Sequence, residues 1–272
     1  MKISKFAPKS GFPNMPIIDG IKLSAINAGI SKAKKLDLML IEICSGATIS
    51  GLFTKSKTCS AAVQWCRDNL KKTLKENKPI GIIVNSGNAN VFTGREGAAV
   101  VKKTASAVAT GLNSINQNIL VASTGVIGEL LDVTKVVCQI PNLISTLNGE
   151  SFSNAAEAIM TTDTYSKGAH ESLSFDDMSI SINGFAKGSG MIEPDMATML
   201  VFIFTDALIK KTVLQEIVKN CNKVSFNSIT VDSDTSTSDS LFVIATGKAK
   251  MNEIKTMEDL RAIKFSECLS KL

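Results

Sequence analysis

Met199 to Phe204 is an apolar run with no polar residue in it. Side chains of a strand point alternately to its two faces, so such a run fits a strand covered on both sides. Leu38 to Cys44 and Pro79 to Val84 also read as buried strands, joined by shorter strands at Ile119 to Ala122, Met178 to Ile182 and Leu241 to Ala245. Helical spacing puts Val101, Ala105, Val108 and Leu112 on one face of a helix that follows Thr93, a candidate N-cap. Further helices are expected over Asp132 to Leu147, Ser153 to Met160 and Lys210 to Val224. The Asn183-Gly184 pair is a tight hairpin signal. Ile254, Met257, Leu260 and Ile263 continue an apolar pattern near the C-terminus. Strands and helices are mixed without strict alternation, which gives α/β or α+β.

At 272 residues the chain can bury a sizeable core as one large domain or two modest ones. Its net charge of +5 is spread without long blocks, and pairs such as Lys34-Lys35 and Lys71-Lys72 are too short to mark a nucleic-acid footprint. Only fourteen aromatics occur, with one Trp and one Tyr, which counts against base-stacking platforms. Six cysteines are scattered without a CxxC pair, which implies a reduced, cytoplasmic chain. Nothing in the sequence has the length of a membrane span, and the first residues lack a signal-peptide core. His170 is the only histidine and lies in a polar stretch, so neither a histidine-based triad nor a His-rich metal site is expected. Acyl transfer in this chain needs another base.

The loop that precedes the apolar run supplies a candidate. Lys187-Gly188-Ser189-Gly190 opens a turn that ends in Thr198 at the head of the strand. A threonine hydroxyl is a poor nucleophile without an adjacent base, and one solution is to cut Ala197–Thr198 so that the threonine's own α-amine takes the proton. That amine titrates at about 7.7–8.0, close to neutral. A threonine opening a strand is also ordinary β-propensity, and by itself the residue favours that reading.

Further segments tip the balance. Lys187 to Leu200 is similar to the cleavage-site signature of the ornithine acetyltransferase family, the bifunctional glutamate N-acetyltransferases of arginine biosynthesis. Four more segments resemble that family in the same order: Asn85 to Asn90 with Thr93-Gly94, Ser123 to Gly128, Thr161 to Thr164, and Phe226 to Asp232 running into Asp234 to Thr237. The resemblance extends from about Gly20 to about Gly247.

The resemblance implies a layered α-β-β-α sandwich of the ornithine acetyltransferase and aminopeptidase type. It implies an α-chain region over residues 1–197 and the start of a β-chain region over 198–272, with self-cleavage between Ala197 and Thr198. Thr198 would be the nucleophile, Thr124 and Gly125 the oxyanion hole, and Thr161 and Lys187 substrate contacts. Asp163 would orient the Thr161 loop, although polar clusters of this kind also cap helices. Asn227, Asp232 and Asp234 lack the remaining ligands of a calcium loop and read as structural.

The implied reaction moves acetyl from N-acetylornithine to glutamate through a threonine ester, with no cofactor. Bifunctional members also accept acetyl-CoA as an acetyl donor, and the residues of this sequence leave that second donor open. The partners are then small molecules rather than nucleic acid or membrane, and cleaved chains would pair as an α2β2 heterotetramer. Family members continue through an Asp-Gly-Glu-Gly-Ala-Thr-Lys-like segment that this sequence lacks, so the expectation is a sandwich incomplete at the C-terminus. Ser166 stands where the family has proline and Ser233 where it has glycine. A positive φ at Ser233 would cost about 1 kcal/mol. Two other readings remain open: an N-terminal-threonine aminopeptidase or amidase of similar fold, and an inactive truncated paralogue or subunit.

Overall fold

Buried strands demand cover on both faces, and the chain meets that demand with two sheets packed face to face and helices outside them. A computed structural model describes residues 3–5, 7–72, 74–175, 178–193 and 199–272. The first sheet contains β1 (Ile21–Ile26), β2 (Leu38–Ile43), β4 (Ile80–Asn85) and β5 (Ile119–Ser123) in the order β1-β2-β4-β5. The second contains β3 (Thr48–Phe53), β6 (Lys167–Phe175), β7 (Met178–Lys187), β8 (Leu200–Thr205) and β9 (Ser240–Ala245) in the order β3-β9-β8-β7-β6. Strands β4 and β5 are parallel, as are β8 and β9; all other strand pairs are antiparallel.

The two-residue period of each strand splits its apolar side chains between two cores. Met39, Ile41, Ile82, Val84, Leu120 and Ala122 of the first sheet face Phe185, Phe202, Phe204, Phe242 and Ile244 of the second. Phe202 stacks on Phe242 at 5.7 Å, and Phe152 meets Phe204 edge-on at 5.7 Å. Such pairs add about 0.5–1.5 kcal/mol beyond their burial. On the outer face of the first sheet, Leu40, Ile83 and Val121 pack with Val101, Ala105 and Val108 of α2 (Gly94–Gly111). On the outer face of the second, Val201, Ile203, Leu241 and Val243 pack with α6 (Lys211–Val224) and α7 (Leu260–Lys271). Every residue of β4, β8 and β9 is buried. The layers are therefore α-β-β-α, and β8 and β9 sit between β3 and β7 within one sheet. No helix among the described residues is long and apolar enough to cross a membrane.

Several local expectations change. Asp132 to Leu147 is not one helix but α3 (Val133–Val137) and α4 (Ile140–Ser145). Asp132 caps the first, and Pro141 sits in the opening turn of the second. Proline has no N–H and its ring collides with the carbonyl four residues back, so a new helix must begin there. The Asn183-Gly184 pair lies inside β7 rather than in a hairpin. Asn183 is fully buried, yet its amide donates to the Pro16 carbonyl at 2.7 Å and its oxygen meets His170 Nδ1 at 2.8 Å. Gly184 leaves room for Leu272, whose Cδ2 would lie 2.9 Å from an added Cβ.

Thr93 precedes α2 as expected, but its hydroxyl donates to Asn90 Oδ1 instead of capping a helix N–H. Strands β1, β3 and β6 and helix α1 (Ala61–Lys71) were absent from the sequence reading. Helix α5 (Phe152–Ala158) forms close to its expected place and sends Phe152 into the inter-sheet core. The C-terminal pattern is out of phase: Ile254 is buried, but Leu260 and Ile263 are exposed, and Ala262, Phe265, Cys268 and Leu269 face inward.

This phase is directly testable by chemical denaturation. Phe265→Ala is expected to cost about 3–5 kcal/mol through lost burial and a residual cavity. Leu260→Ala, on the opposite face, is expected to change stability by about 0.5 kcal/mol or less. Equal effects would contradict the helix orientation.

Candidate functional site

The ends of β4 and β5 lie side by side, and the loops that leave them are locked by their own polar groups. The Ser123 hydroxyl donates to Asn85 Oδ1 at 2.7 Å, and the Asn85 amide donates to the Asn88 carbonyl at 2.8 Å. Thr124 N–H donates to the Asn85 carbonyl at 3.0 Å. Gly125 follows with φ +130°, and a Cβ there would lie 2.3 Å from the carbonyl carbon of Gly87. Only glycine can hold that backbone so close to its neighbour. The Thr124 hydroxyl and the Gly125 N–H are thus neighbours on a tightly held turn.

The next link runs through Ser86, whose buried hydroxyl donates to the Ala158 carbonyl at 2.7 Å, at the last residue of α5. From there the chain passes Met160 and reaches Thr161 and Asp163. Asp163 is the hub of the site. Its Oδ1 accepts from Gly188 N–H at 2.9 Å and from the Lys167 ammonium, while Oδ2 accepts from Thr161 N–H at 3.4 Å. Ser189 and Thr162 hydroxyls add a second tie at 2.9 Å. Burial by itself would raise the Asp163 carboxyl, but the Lys167 and backbone hydrogen bonds outweigh it and hold it below the usual carboxylate range.

Lys187 ends β7 and is 3% exposed, paired across the sheet with Leu200. Burial pulls its ammonium down to about 8; Asp163 and Asp239 oppose that fall, and Lys167 and Lys35 add to it. Lys35 itself is lowered by burial against the pull of Asp163, Asp37 and Glu157, and its ammonium donates to the Met160 carbonyl. It is therefore a site residue and not half of a solvated surface pair. The segment that carries Lys35 is gripped by fully buried Asp37, whose carboxylate accepts from Ala28, Ile30 and Ser31 N–H at 2.6–2.7 Å.

Ala197 and Thr198 lie outside the described residues, but both ends of their loop are fixed. Asp232 accepts from Met191 N–H at 2.5 Å and from Ile192 N–H at 2.8 Å, and these bonds hold its carboxyl below the usual range. Ser233 has φ +61°, the strained geometry expected of a serine in a glycine position. On the far side, Asp239, almost fully buried, accepts from Met199 N–H at 2.8 Å. The Asn227 to Asp234 segment thus contributes loop anchoring. Among the described residues no group of three or more His, Cys, Asp or Glu could hold a metal ion.

The structure thus gathers Thr161 and Lys187 on Asp163, and joins Thr124 and Gly125 to them through Gly87, Ser86 and Ala158. Lys35, Asp37 and Asp239 were missed in the sequence. Asp37 and Asp239 each directly precede an apolar strand, which is the one signal either offered.

Known proteins similar to this chain in sequence and fold point to one family. The chain is 44% identical over 273 aligned residues to an arginine biosynthesis bifunctional protein ArgJ from Mesorhizobium japonicum, covering 99% of this chain and 65% of that one. It spans 59% of the ArgJ of Bradyrhizobium diazoefficiens, at 45% identity and 91% of its own length. Among solved structures, the ornithine acetyltransferase of Mycobacterium tuberculosis, crystallised with ornithine, matches with a TM-score of 0.54 at 28% identity, over 67% of this chain and 94% of that one. An L-aminopeptidase D-Ala-esterase/amidase of Ochrobactrum anthropi, an Ntn-hydrolase fold, matches over 99% of this chain and 86% of that one with a TM-score of 0.52; at 11% identity this likeness concerns the fold alone. The ArgJ family model matches residues 22–272, and the chain belongs to the ArgJ family.

Proposed function

We propose that this chain is an N-terminal-nucleophile acyltransferase that carries an acetyl group from N-acetylornithine to glutamate in arginine biosynthesis. The observation that carries the reading is the meeting of Thr161 and the Lys187-Gly188 turn on Asp163, beside the strand that Thr198 precedes. Lys35 and Lys187 bring two ammonium groups into the same enclosed region, and either suits the carboxylate of an N-acylated amino acid. The ornithine found with the Mycobacterium tuberculosis enzyme has the matching amino-acid group.

Activation begins with attack of Thr198 Oγ on the Ala197 carbonyl, an N-to-O acyl shift. Water hydrolyses the resulting ester and frees the Thr198 α-amine. In turnover that amine takes the hydroxyl proton as Oγ attacks the acetyl carbonyl of N-acetylornithine. The tetrahedral oxyanion would be met by the Thr124 hydroxyl and the Gly125 N–H. Ornithine departs with the proton on its nitrogen, leaving the acetyl group on Thr198. The glutamate amine then attacks the ester, takes the acetyl group and returns the proton to Oγ. The donor's acetyl group is conserved throughout, so no cofactor is required, and acetyl-CoA would enter only as an alternative donor. We assign the cleaved protein to the cytoplasm as an α2β2 assembly.

Intact mass spectrometry of the purified chain is expected to show pieces corresponding to residues 1–197 and 198–272, and Thr198→Ala is expected to stay whole. An uncut wild-type chain that still transfers acetyl would overturn this reading. Transfer should depend on glutamate; release of free acetate at the same rate without glutamate would instead identify an amidase. Thr124→Val is expected to lower kcat by about 10²–10³-fold with a smaller change in KM.

The pH profile follows from two groups. The Thr198 amine must be neutral, so kcat/KM should rise with pH through about 7.7–8.0, or lower because Lys187 repels the charged amine. Lys187 must stay charged, so kcat/KM should fall as pH rises through about 8. A narrow bell is expected, and a flat alkaline side in Lys187's range would contradict a role for its ammonium.

A further inference from the structure

Asp163 does more than cap a helix end. It lies beyond α5, and its carboxylate spends its bonds on Thr161 N–H, on Gly188 N–H twenty-five positions downstream, and on the Lys167 ammonium. The side chain is 1% exposed, so each of these bonds is made where an unpaired partner would be costly. We infer that Asp163 is a positioning residue for acyl transfer, whose single carboxylate clamps the Thr161 loop to the Lys187-Gly188 turn and supplies negative charge to Lys187. The acyl-transfer half of this inference rests on the function proposed above; the electrostatic half does not.

The charges around Lys187 come from four parts of the chain. Lys35 lies on the segment before β2, Asp163 between α5 and β6, Lys167 at the first residue of β6, and Asp239 just before β9. Two of these are cations that disfavour a charged Lys187, and two are anions that favour it. Asp163 leads the opposing charges, and it also neutralises Lys167, which would otherwise repel Lys187 more strongly. Geometry and charge are coupled in one side chain. The bond that fixes Gly188 also sets how long its neighbour Lys187 keeps its proton as pH rises.

The test follows the Lys187 proton directly. Lysine labelled with ¹³C at Cε is incorporated, the Lys187 signal is identified by its loss in Lys187→Arg, and its pH titration is recorded by NMR. The wild-type midpoint is expected near about 8. It should fall in Asp163→Asn, which removes an anion, and rise in Lys167→Met, which removes a cation. Should Asp163→Asn fail to fold, the Lys167→Met titration decides the matter, because Lys167 is partly exposed. A Lys187 midpoint unmoved in the folded variants overturns the inference.

In transfer assays, Asp163→Asn should lower kcat/KM by about 100-fold through misplacement of the clamped loops, and should move the alkaline limb to lower pH. Asp163→Glu should restore the limb, with kcat/KM only partly recovered. A merely structural role would lower stability and leave that limb in place, and this outcome also overturns the inference. If the wild-type protein transfers no acetyl group, the proposed reaction fails, while the NMR midpoints still decide the charge role of Asp163.

Discussion

The packing of one sheet's face against the other is the constraint on which everything else rests. Phe185, Phe202, Phe204 and Phe242 fill the space between sheets, each in contact range of another ring. Their strands are covered on the opposite face by α6 and α7, so they have little freedom to shift in register. A slip of one residue would exchange Phe202 and Phe204 for Val201 and Ile203 and open the inter-sheet core. That rigidity is what gives a fixed address to the ends of β7, β8 and β9, where the candidate site is assembled.

Around that scaffold, buried carboxylates organise the loops. Asp37 gathers three N–H groups of the segment that carries Lys35, and Asp163 gathers Thr161 and Gly188. Asp239 holds Met199, while the more exposed Asp232 grips Met191 and Ile192. Loops near a core carry many backbone donors that water cannot reach, and charged acceptors satisfy them more strongly than neutral ones. Asp37, Asp163 and Asp239 also oppose the loss of charge that burial imposes on Lys35 and Lys187. Loop order and site electrostatics therefore have a common source.

Two backbone positions illustrate different ways to build a tight site. Gly125 is held against Gly87 and Asn88, where any Cβ would collide with main chain that cannot move aside. Ser233 takes a left-handed conformation despite its side chain, at a cost of about 1 kcal/mol. The first arrangement admits no alternative residue; the second is offset by neighbouring bonds such as those of Asp232.

The sequence by itself determined the doubly covered strands, the amphipathic helices α2 and α6, and the polar segments of the site, because these signals are local in period and composition. Asn85 to Asn90, Ser123 to Gly128 and Thr161 to Thr164 were legible as site segments through their resemblance to a known family. It misled where local chemistry admits two outcomes. Asn183-Gly184 reads as a turn, yet a distant carbonyl at Pro16 and the ring of His170 satisfy the asparagine inside a strand. Leu260 and Ile263 look inward in the pattern, but the packing of Phe265 and Leu269 sets the rotation of α7. The roles of Lys35, Asp37 and Asp239, and the reach of Asp163 to Gly188 and Lys167, belong to the tertiary structure alone. Each depends on partners brought together from separate parts of the chain, and the desolvation that tunes Lys187 exists only once those parts enclose it.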